Sequence, residues 1–193
     1  MFEIGTQFAL NGFVVHLIDF EGYGFSTGKR INGVVVDMMH SQVTSILKEA
    51  SPELPLFFLA HSMGCLVVNS FLSLNPKIAK RLAGVMYSAP FFLLPDHHGL
   101  NNPVAVSVVG SAADALPDFV GITAFPIHKV CRKRQFNRQK ILGLKDQMMF
   151  SFQWLANIIW WHQNIQSTAH KQEYPYLIML AGKDAVVENR GAM

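Results

Sequence analysis

The fold is decided by residues 56–72, whose sequence is LFFLAHSMGCLVVNSFL. The opening residues of this stretch are apolar and follow Pro52 and Pro55, which predicts a short buried strand at residues 56–60. Residues 65–72 are apolar on nearly every side, which predicts a buried helix. Ser62 lies between the two, so the sequence places a serine at a tight turn from strand to helix.

Short β-rich runs alternate with helical patterns on both sides of this stretch. Further strands are predicted at residues 13–19, 83–88 and 176–181. From Val36 to Ala50 the apolar residues fall at helical spacing, which predicts an amphipathic helix. Such alternation is typical of a parallel sheet with crossover helices, so the expected fold class is α/β.

The alternation stops after Pro95 and returns at residue 176, which indicates an insertion. We expect residues 1–93 to form the N-terminal part of the core, residues 94–172 an inserted cap, and residues 173–193 a core strand with its following loop. A strongly apolar helical pattern within the insertion runs from Leu144 to Trp161.

The composition excludes several classes of protein. A chain of 193 residues that is 50% hydrophobic and 15% charged has the length of one domain and is too apolar to be disordered. No apolar run approaches the ~20 residues of a membrane-spanning helix, and the N-terminus lacks the pattern of a signal peptide. Two cysteines supply neither a disulfide framework nor a metal cluster. We therefore expect a cytoplasmic protein without a metal or other cofactor.

The formal net charge of +3 is local in origin. A basic cluster supplies six positive charges, which leaves 3 − 6 = −3 for the rest of the chain. The simplest interpretation is a solvated surface, and an anionic membrane is the sharper alternative. Nucleic acid is not an expected partner, because no basic stripe interleaved with aromatic residues occurs elsewhere. The cluster consists of Lys129, Arg132, Lys133, Arg134, Arg138 and Lys140.

Residues 60–64, AHSMG, match the nucleophile motif G-x-S-x-G with Ala60 at the first glycine. Small residues two before and two after the serine let the neighbouring backbones pass closely. The Met63 amide at the helix N-terminus can donate to an oxyanion. The alternative is that Ser62 merely caps the helix. The predicted strand and helix on either side favour a nucleophile.

Several blocks resemble the α/β-hydrolases, specifically their monoacylglycerol lipase or serine-aminopeptidase-like group. Residues 11–28, NGFVVHLIDFEGYGFSTG, resemble that family's strand and following glycine-rich loop, with Tyr23 where histidine is common. Residues 61–64 resemble its nucleophile turn, and residues 88–90 the strand end before its lid. The resemblance implies a mostly parallel sheet with helices on both faces and an inserted helical cap.

The resemblance also implies roles for individual residues. Ser62 is the expected nucleophile, the Met63 amide an oxyanion donor, and Asp184, in residues 181–187 (AGKDAVV), the acid of a catalytic triad. The alternative for Asp184 is a turn aspartate at a strand end. His61 is not implied as the base. The resemblance gives Asp19 and Glu21 the task of shaping a loop.

The triad order of this fold is serine, acid, histidine, but no histidine follows Asp184. The sequence therefore predicts a fragment or truncated product that lacks the first strands, with their oxyanion loop, and the C-terminal histidine segment. Loss of a triad member lowers turnover by ~10⁴ to 10⁶. We expect His162 and His170 on the cap helix to face water. The eight histidines are His16, His40, His61, His97, His98, His128, His162 and His170.

The implied activity is that of a serine hydrolase of carboxylic esters, monoacylglycerol lipase- or lysophospholipase-like, acting through an acyl-enzyme. Peptidase and thioesterase activities stay open, because one scaffold hosts many chemistries. A non-catalytic module that binds lipid or a protein partner also stays open. The expected partners are a lipid ester and, through the basic cluster and the cap, a membrane surface. The alternative for the cap's apolar side chains is packing on the core; they are Phe150, Phe152, Trp154, Ile158, Ile159, Trp160 and Trp161.

Overall fold

The computed structural model describes residues 2–28, 36–93, 99–100, 102–117, 119–122, 149–169, 173–184 and 187–193. The basic cluster lies outside these residues. So do residues 144–148 of the helical pattern and the histidines His97, His98, His128 and His170.

The described elements are helices α1 (Phe2–Leu10) and α2 (Val36–Leu47), strand β1 (Leu56–His61), helices α3 (Met63–Leu74) and α4 (Pro76–Ala79), strand β2 (Leu82–Ser88), helix α5 (Pro103–Ala115), strands β3 (Val120–Ile122) and β4 (Met149–Ser151), helix α6 (Phe152–Ala169), strand β5 (Tyr176–Met179) and a 3₁₀ helix (Asn189–Ala192). Helix α1 has no counterpart among the sequence predictions.

Strands β1, β2 and β5 form a parallel sheet in that order within the described part of the chain. His61 pairs with Ser88, and Ser88 with Met179, so all three strands end at one edge. Helix α3 makes the connection from β1 to β2 that parallel strands require. The predicted α/β class is confirmed, as are these three strands, although β5 ends at Met179.

The core forms around helix α3, in which every residue from Cys65 to Leu72 is buried. Met39 and Val43 of α2 and Ile158 of α6 belong to the same buried cluster. Burial on every side removes the apolar side chains of residues 65–72 from water. The predictions of a buried helix after Ser62 and of an amphipathic helix from Val36 are therefore confirmed.

The prediction of a buried strand at residues 13–19 is wrong. This segment forms no strand, and Val14 is 71% exposed. The Phe13 ring contacts Phe8 of α1, with centroids 5.4 Å apart, and Phe57 of β1, with centroids 6.3 Å apart. A strand needs a neighbour for its backbone hydrogen bonds, and in the described residues β1 pairs only with β2. Apolar side chains alone do not make a strand here.

Helices α5 and α6 and the antiparallel pair β3–β4 lie within residues 94–172. The helical pattern was expected from Leu144, but residues 149–151 form β4, and α6 begins at Phe152 and runs on to Ala169. Trp154, Ile158 and Ile159 are buried in the main core, so these three side chains pack on it. Trp160 is 55% exposed.

Replacing Ile158 by alanine is expected to destabilise the fold by about 2–5 kcal/mol, because the residue is fully buried and its loss leaves a cavity between α6 and α3. The matched variant Trp160→Ala removes a larger but exposed side chain of the same helix. It should cost about 1 kcal/mol or less. Urea unfolding of both variants measures the difference. Equal losses would contradict the packing of α6 on the core.

Candidate active site

Ser62 stands at the turn from β1 to α3 in a strained backbone conformation. Its φ is +53° and its ψ is −121°, a combination that residues other than glycine rarely adopt. Such a conformation costs about 1–3 kcal/mol and persists only where the surrounding structure holds it. The strain at Ser62 therefore marks the turn as a candidate functional site.

The conformation of Ser62 does not fit a helix cap. An N-cap residue has extended backbone angles, and its side chain accepts a hydrogen bond from the first turn. Ser62 has neither feature, because its φ is positive and its side chain makes no capping hydrogen bond. The Ser62 hydroxyl group therefore does not cap α3.

Three backbone hydrogen bonds hold Ser62 in place. Its amide donates to the carbonyl of Ser88 over 3.0 Å, and its own carbonyl accepts from the amides of Cys65 (3.0 Å) and Phe91 (3.2 Å). Two residues before the donor Phe91 lies Ala89, a second non-glycine residue with positive φ (+43°). The Ala89 amide donates to the carbonyl of Met179 over 2.8 Å, which ties this segment to β5. Two strained residues thus meet at the edge of the sheet.

Met63 is the first residue of α3, so its amide has no acceptor within the helix. Together with the partial positive charge of the helix N-terminus, this amide suits an anion formed beside Ser62. Positions 60 and 64 were expected to need small residues because of crowding. Ala60 is buried, as this expectation requires. Gly64 does not fit it, because a Cβ atom added there would meet no atom within 4 Å.

Asp184 lies in the turn after β5, half-buried. Its Oδ1 accepts a hydrogen bond from the Val187 amide over 3.0 Å, which fixes the carboxylate in the turn. The turn is anchored further by Asn189, whose side-chain amide donates to the carbonyl of Ala181 over 2.9 Å. The hydrogen bond from Val187 is the contact expected of a turn aspartate, and it is compatible with a catalytic role for Asp184.

Ser62 and Asp184 lie at the same edge of the sheet. Ser62 directly follows β1, and Asp184 lies in the turn after β5. Strand β2 lies between β1 and β5, so the two residues follow strands that are not direct neighbours.

Two other reactive side chains near Ser62 are engaged elsewhere. The Nδ1 of His61 lies 3.2 Å from the hydroxyl of Ser88, in a tautomer-dependent hydrogen bond. Burial raises the pKa of the Cys65 thiol to about 12, in spite of its hydrogen bond to the carbonyl of Ser88. The thiolate is the nucleophilic form of cysteine, so Cys65 is inert at neutral pH.

The expectation that His162 faces water is wrong. The residue is only 6% exposed, and its ring packs edge to face against Phe91 with centroids 4.5 Å apart. Its Nδ1 lies 2.8 Å from the carbonyl oxygen of Ile158 and its Nε2 3.0 Å from that of Phe91. Burial lowers the pKa of this imidazole, which outweighs the opposing effect of the two carbonyls. His162 is buried because the face of α6 that carries it lies against Phe91.

A lowered pKa predicts loss of stability in acid. Below the ordinary pKa of 6.5 the unfolded chain binds a proton at His162 that the folded chain resists. The free energy of unfolding therefore falls as the pH drops through 6.5 towards the folded pKa, by up to about 1.4 kcal/mol per pH unit. His162→Gln cannot titrate and should lack this part of the slope. Urea unfolding of both proteins between neutral and acid pH measures it; parallel curves would contradict a lowered pKa.

The side chains of Asp19 and Glu21 both contact the glycine-rich loop that follows them. The Asp19 carboxylate accepts from the Phe25 amide over 3.0 Å, and a side chain at Gly24, where φ is +52°, would collide with that carboxylate. A side chain at Gly28 would likewise collide with Glu21. Tyr23 connects the loop to α6, because its hydroxyl accepts from the Trp154 indole over 3.2 Å.

Sequence reasoning missed the contacts of Ala89, Phe91 and His162 around the turn at Ser62. The sequence SAP at residues 88–90 gives no signal of the positive φ at Ala89, because a residue before proline ordinarily has an extended backbone with negative φ. Nothing local in the sequence connects His162 with Phe91, because 71 residues separate them.

The profile of the Hydrolase_4 family, described as serine aminopeptidase, S33, matches residues 1–193. The chain belongs to this family of α/β-hydrolases. Hydrolase_4 membership agrees with the strand, strained serine and helix at residues 56–74. No protein of curated function matches the sequence significantly.

Solved structures share the Hydrolase_4 fold of this chain. The monoacylglycerol lipase of Paleococcus ferrophilus superposes with a TM-score of 0.75 at 19% identity, covering 90% of this chain and 64% of that one. A soluble variant of monoglyceride lipase from Saccharomyces cerevisiae, in complex with a substrate analog, gives 0.66 at 21% identity, covering 90% and 61%. A thermophilic esterase from Thermogutta terrifontis gives 0.55 at 18%, covering 90% and 63%. The chain thus spans less than two thirds of each structure.

In the part of the chain that the structure describes, no helix combines the length and the hydropathy needed to cross a membrane. Within the same residues, no three histidine, cysteine, aspartate or glutamate side chains converge as metal ligands do.

Proposed function

We propose that the protein is a serine hydrolase of carboxylic esters that works through an acyl-enzyme, with Ser62 as the nucleophile. The observation that carries the proposal is the conformation of Ser62, strained at φ +53° and without a capping role. Strain of this kind concentrates at functional sites, where the fold holds a side chain in a position that it would not otherwise take. Family membership supplies the hydrolase scaffold.

In the proposed reaction, the Ser62 hydroxyl oxygen bonds to the ester carbonyl carbon, and the carbonyl oxygen becomes an anion. The Met63 amide donates to this anion, an interaction worth about 10²- to 10³-fold in rate. The bond to the leaving alcohol then breaks, and the alcohol takes the proton that the serine released. Water attacks the acyl-Ser62 ester in the second half and liberates the acid.

The proton passes through a histidine in this fold, held and stabilised as imidazolium by the acid. We assign the acid to Asp184, because the turn after β5 lies at the same edge of the sheet as Ser62, with β2 between the two strands. No histidine follows Asp184 in this sequence, so the proposal gives the base no residue number.

For the substrate we propose a lipid ester such as a monoacylglycerol or lysophospholipid, with residues 94–172 forming a cap over the acyl chain. The similar structures from P. ferrophilus and S. cerevisiae carry the names of monoacylglycerol lipases, which supports this class. The test compares hydrolysis of monoacylglycerols, lysophospholipids and aminoacyl anilides by the protein expressed from its complete gene. Preference for the anilides would favour a peptidase, in keeping with the family's description as a serine aminopeptidase.

We further propose peripheral contact with an anionic membrane through the cap. The six cations of the basic cluster and the exposed indole of Trp160 support this contact, since basic and aromatic side chains suit a lipid headgroup region. We expect the protein to float with liposomes that contain phosphatidylserine and not with phosphatidylcholine alone. Equal recovery with both would contradict the electrostatic part. Trp160→Ala should reduce recovery while destabilising the fold by no more than about 1 kcal/mol.

A further inference from the structure

A line of hydrogen-bonded groups connects the cap helix α6 to the backbone of Ser62. His162 on α6 places its Nε2 3.0 Å from the carbonyl oxygen of Phe91. The amide of the same Phe91 donates to the carbonyl of Ser62 over 3.2 Å. One residue, Phe91, therefore contacts the cap with its carbonyl group and the nucleophile turn with its amide.

The Phe91 amide matters because of the strain at Ser62. A backbone with φ of +53° needs external restraints, and the Ser62 carbonyl receives one from Cys65 in its own turn and one from Phe91. Ala89, two residues before Phe91, also has a positive φ. Residues 89–91 therefore differ from an ordinary strand end, and their position depends on the contacts that hold Phe91.

His162 is built into this position and is not a surface group. It is buried, and the edge of its ring packs against the Phe91 ring. Both ring nitrogens face carbonyl oxygens, but a neutral imidazole carries a single N–H. The Ile158 carbonyl already accepts from the backbone within α6, whereas Phe91 lies outside any helix or strand. The single N–H of the imidazole is therefore more favourable on Nε2, where it donates to the Phe91 carbonyl, than on Nδ1.

We propose that His162 is a positioning residue for the proposed hydrolase, whose Nε2–H donates to the Phe91 carbonyl and thereby keeps Ser62 in its reactive conformation. This inference rests on the proposed function of Ser62, but His162 itself touches no substrate. Helix α6 thus contributes to the geometry of the proposed nucleophile through Phe91.

Two amide substitutions separate this role from packing. The side-chain nitrogen of glutamine occupies the place of Nε2, and that of asparagine the place of Nδ1. His162→Gln should keep the bond to Phe91, whereas His162→Asn should lose it. We expect His162→Asn to accelerate hydrogen exchange of the Phe91 and Ser62 amides about 3- to 10-fold relative to His162→Gln. Labelling of Ser62 by a fluorophosphonate should slow in the same variant, and Met86 in the middle of β2 serves as the exchange control.

A measurement on the unmodified protein protects the test against variants that do not fold. Nitrogen-15 NMR of the His162 ring should show the proton on Nε2, and a proton on Nδ1 would overturn the inference. Equal exchange and labelling in the two variants would overturn it as well. If the protein from its complete gene takes no label, the proposed function fails. The exchange rates need no nucleophile, so they would still show whether His162 fixes Phe91, and the two failures stay distinct.

Discussion

Ser62→Ala is expected to abolish labelling by a fluorophosphonate and to lower ester hydrolysis by about 10⁴- to 10⁶-fold. The substitution removes one oxygen atom, which is the proposed nucleophile. Alanine suffers the same steric cost at φ +53°, and the serine hydroxyl makes no capping bond to α3. The fold and its melting temperature should therefore change little, so that the loss reports chemistry and not unfolding.

Ser88→Ala is the matched control for this experiment. Ser88 also lies at the carboxyl edge of the sheet, where its hydroxyl is 3.2 Å from the Nδ1 of His61. Removal of that hydroxyl should leave labelling intact, because the Ser88 contacts to Ser62 and Cys65 use its carbonyl oxygen. The probe is applied to the protein from its complete gene, and the labelled peptide is identified by mass spectrometry. Undiminished labelling in Ser62→Ala would reject Ser62 as the nucleophile.

The features of the fold that sequence predicts are those carried by neighbouring residues. Strand β1, the serine turn and helix α3 lie within residues 56–74, and each is indicated by side chains only a few positions apart. Strand β1, the turn at Ser62 and helix α3 were therefore predicted.

The wrong predictions depend on partners that are distant in sequence. Residues 13–19 have the apolar side chains of a strand, but a strand also requires a neighbour to bond with, and side chains do not reveal one. His162 has a polar side chain on an apolar helix, and only the position of Phe91 decides that this side of the helix is buried. Long-range contacts of this kind are invisible to periodicity.

The candidate site shows the same division between local and distant information. The serine motif predicted the place of Ser62 and of the Met63 amide, which the turn brings together. Family resemblance, and not spacing, pointed to Asp184. The turn after β5 lies at the same sheet edge as Ser62 only once the strands have paired. The segment around Phe91 escaped prediction since its role is to hold a backbone, for which no side-chain signature exists.

Asp184→Asn is expected to lower kcat by about 10⁴-fold while leaving the fold intact. Asparagine retains an Oδ1 that can accept from the Val187 amide, as Asp184 does over 3.0 Å, so the turn after β5 should keep its shape. What disappears is the negative charge, which in the proposed mechanism orients the histidine and stabilises its imidazolium form. Asp184→Ala removes both the charge and the turn contact. It should match Asp184→Asn in kcat but melt at a lower temperature.

This pair of variants separates the two interpretations of Asp184. A turn aspartate alone predicts that asparagine is nearly as good as aspartate and that alanine loses only stability. A triad acid predicts that asparagine is as poor as alanine in turnover. Asp114→Asn on the exposed face of α5 removes an equal charge and should change neither property. Steady-state hydrolysis and thermal melting of the three variants decide between the two, because charge and hydrogen bonding are lost separately.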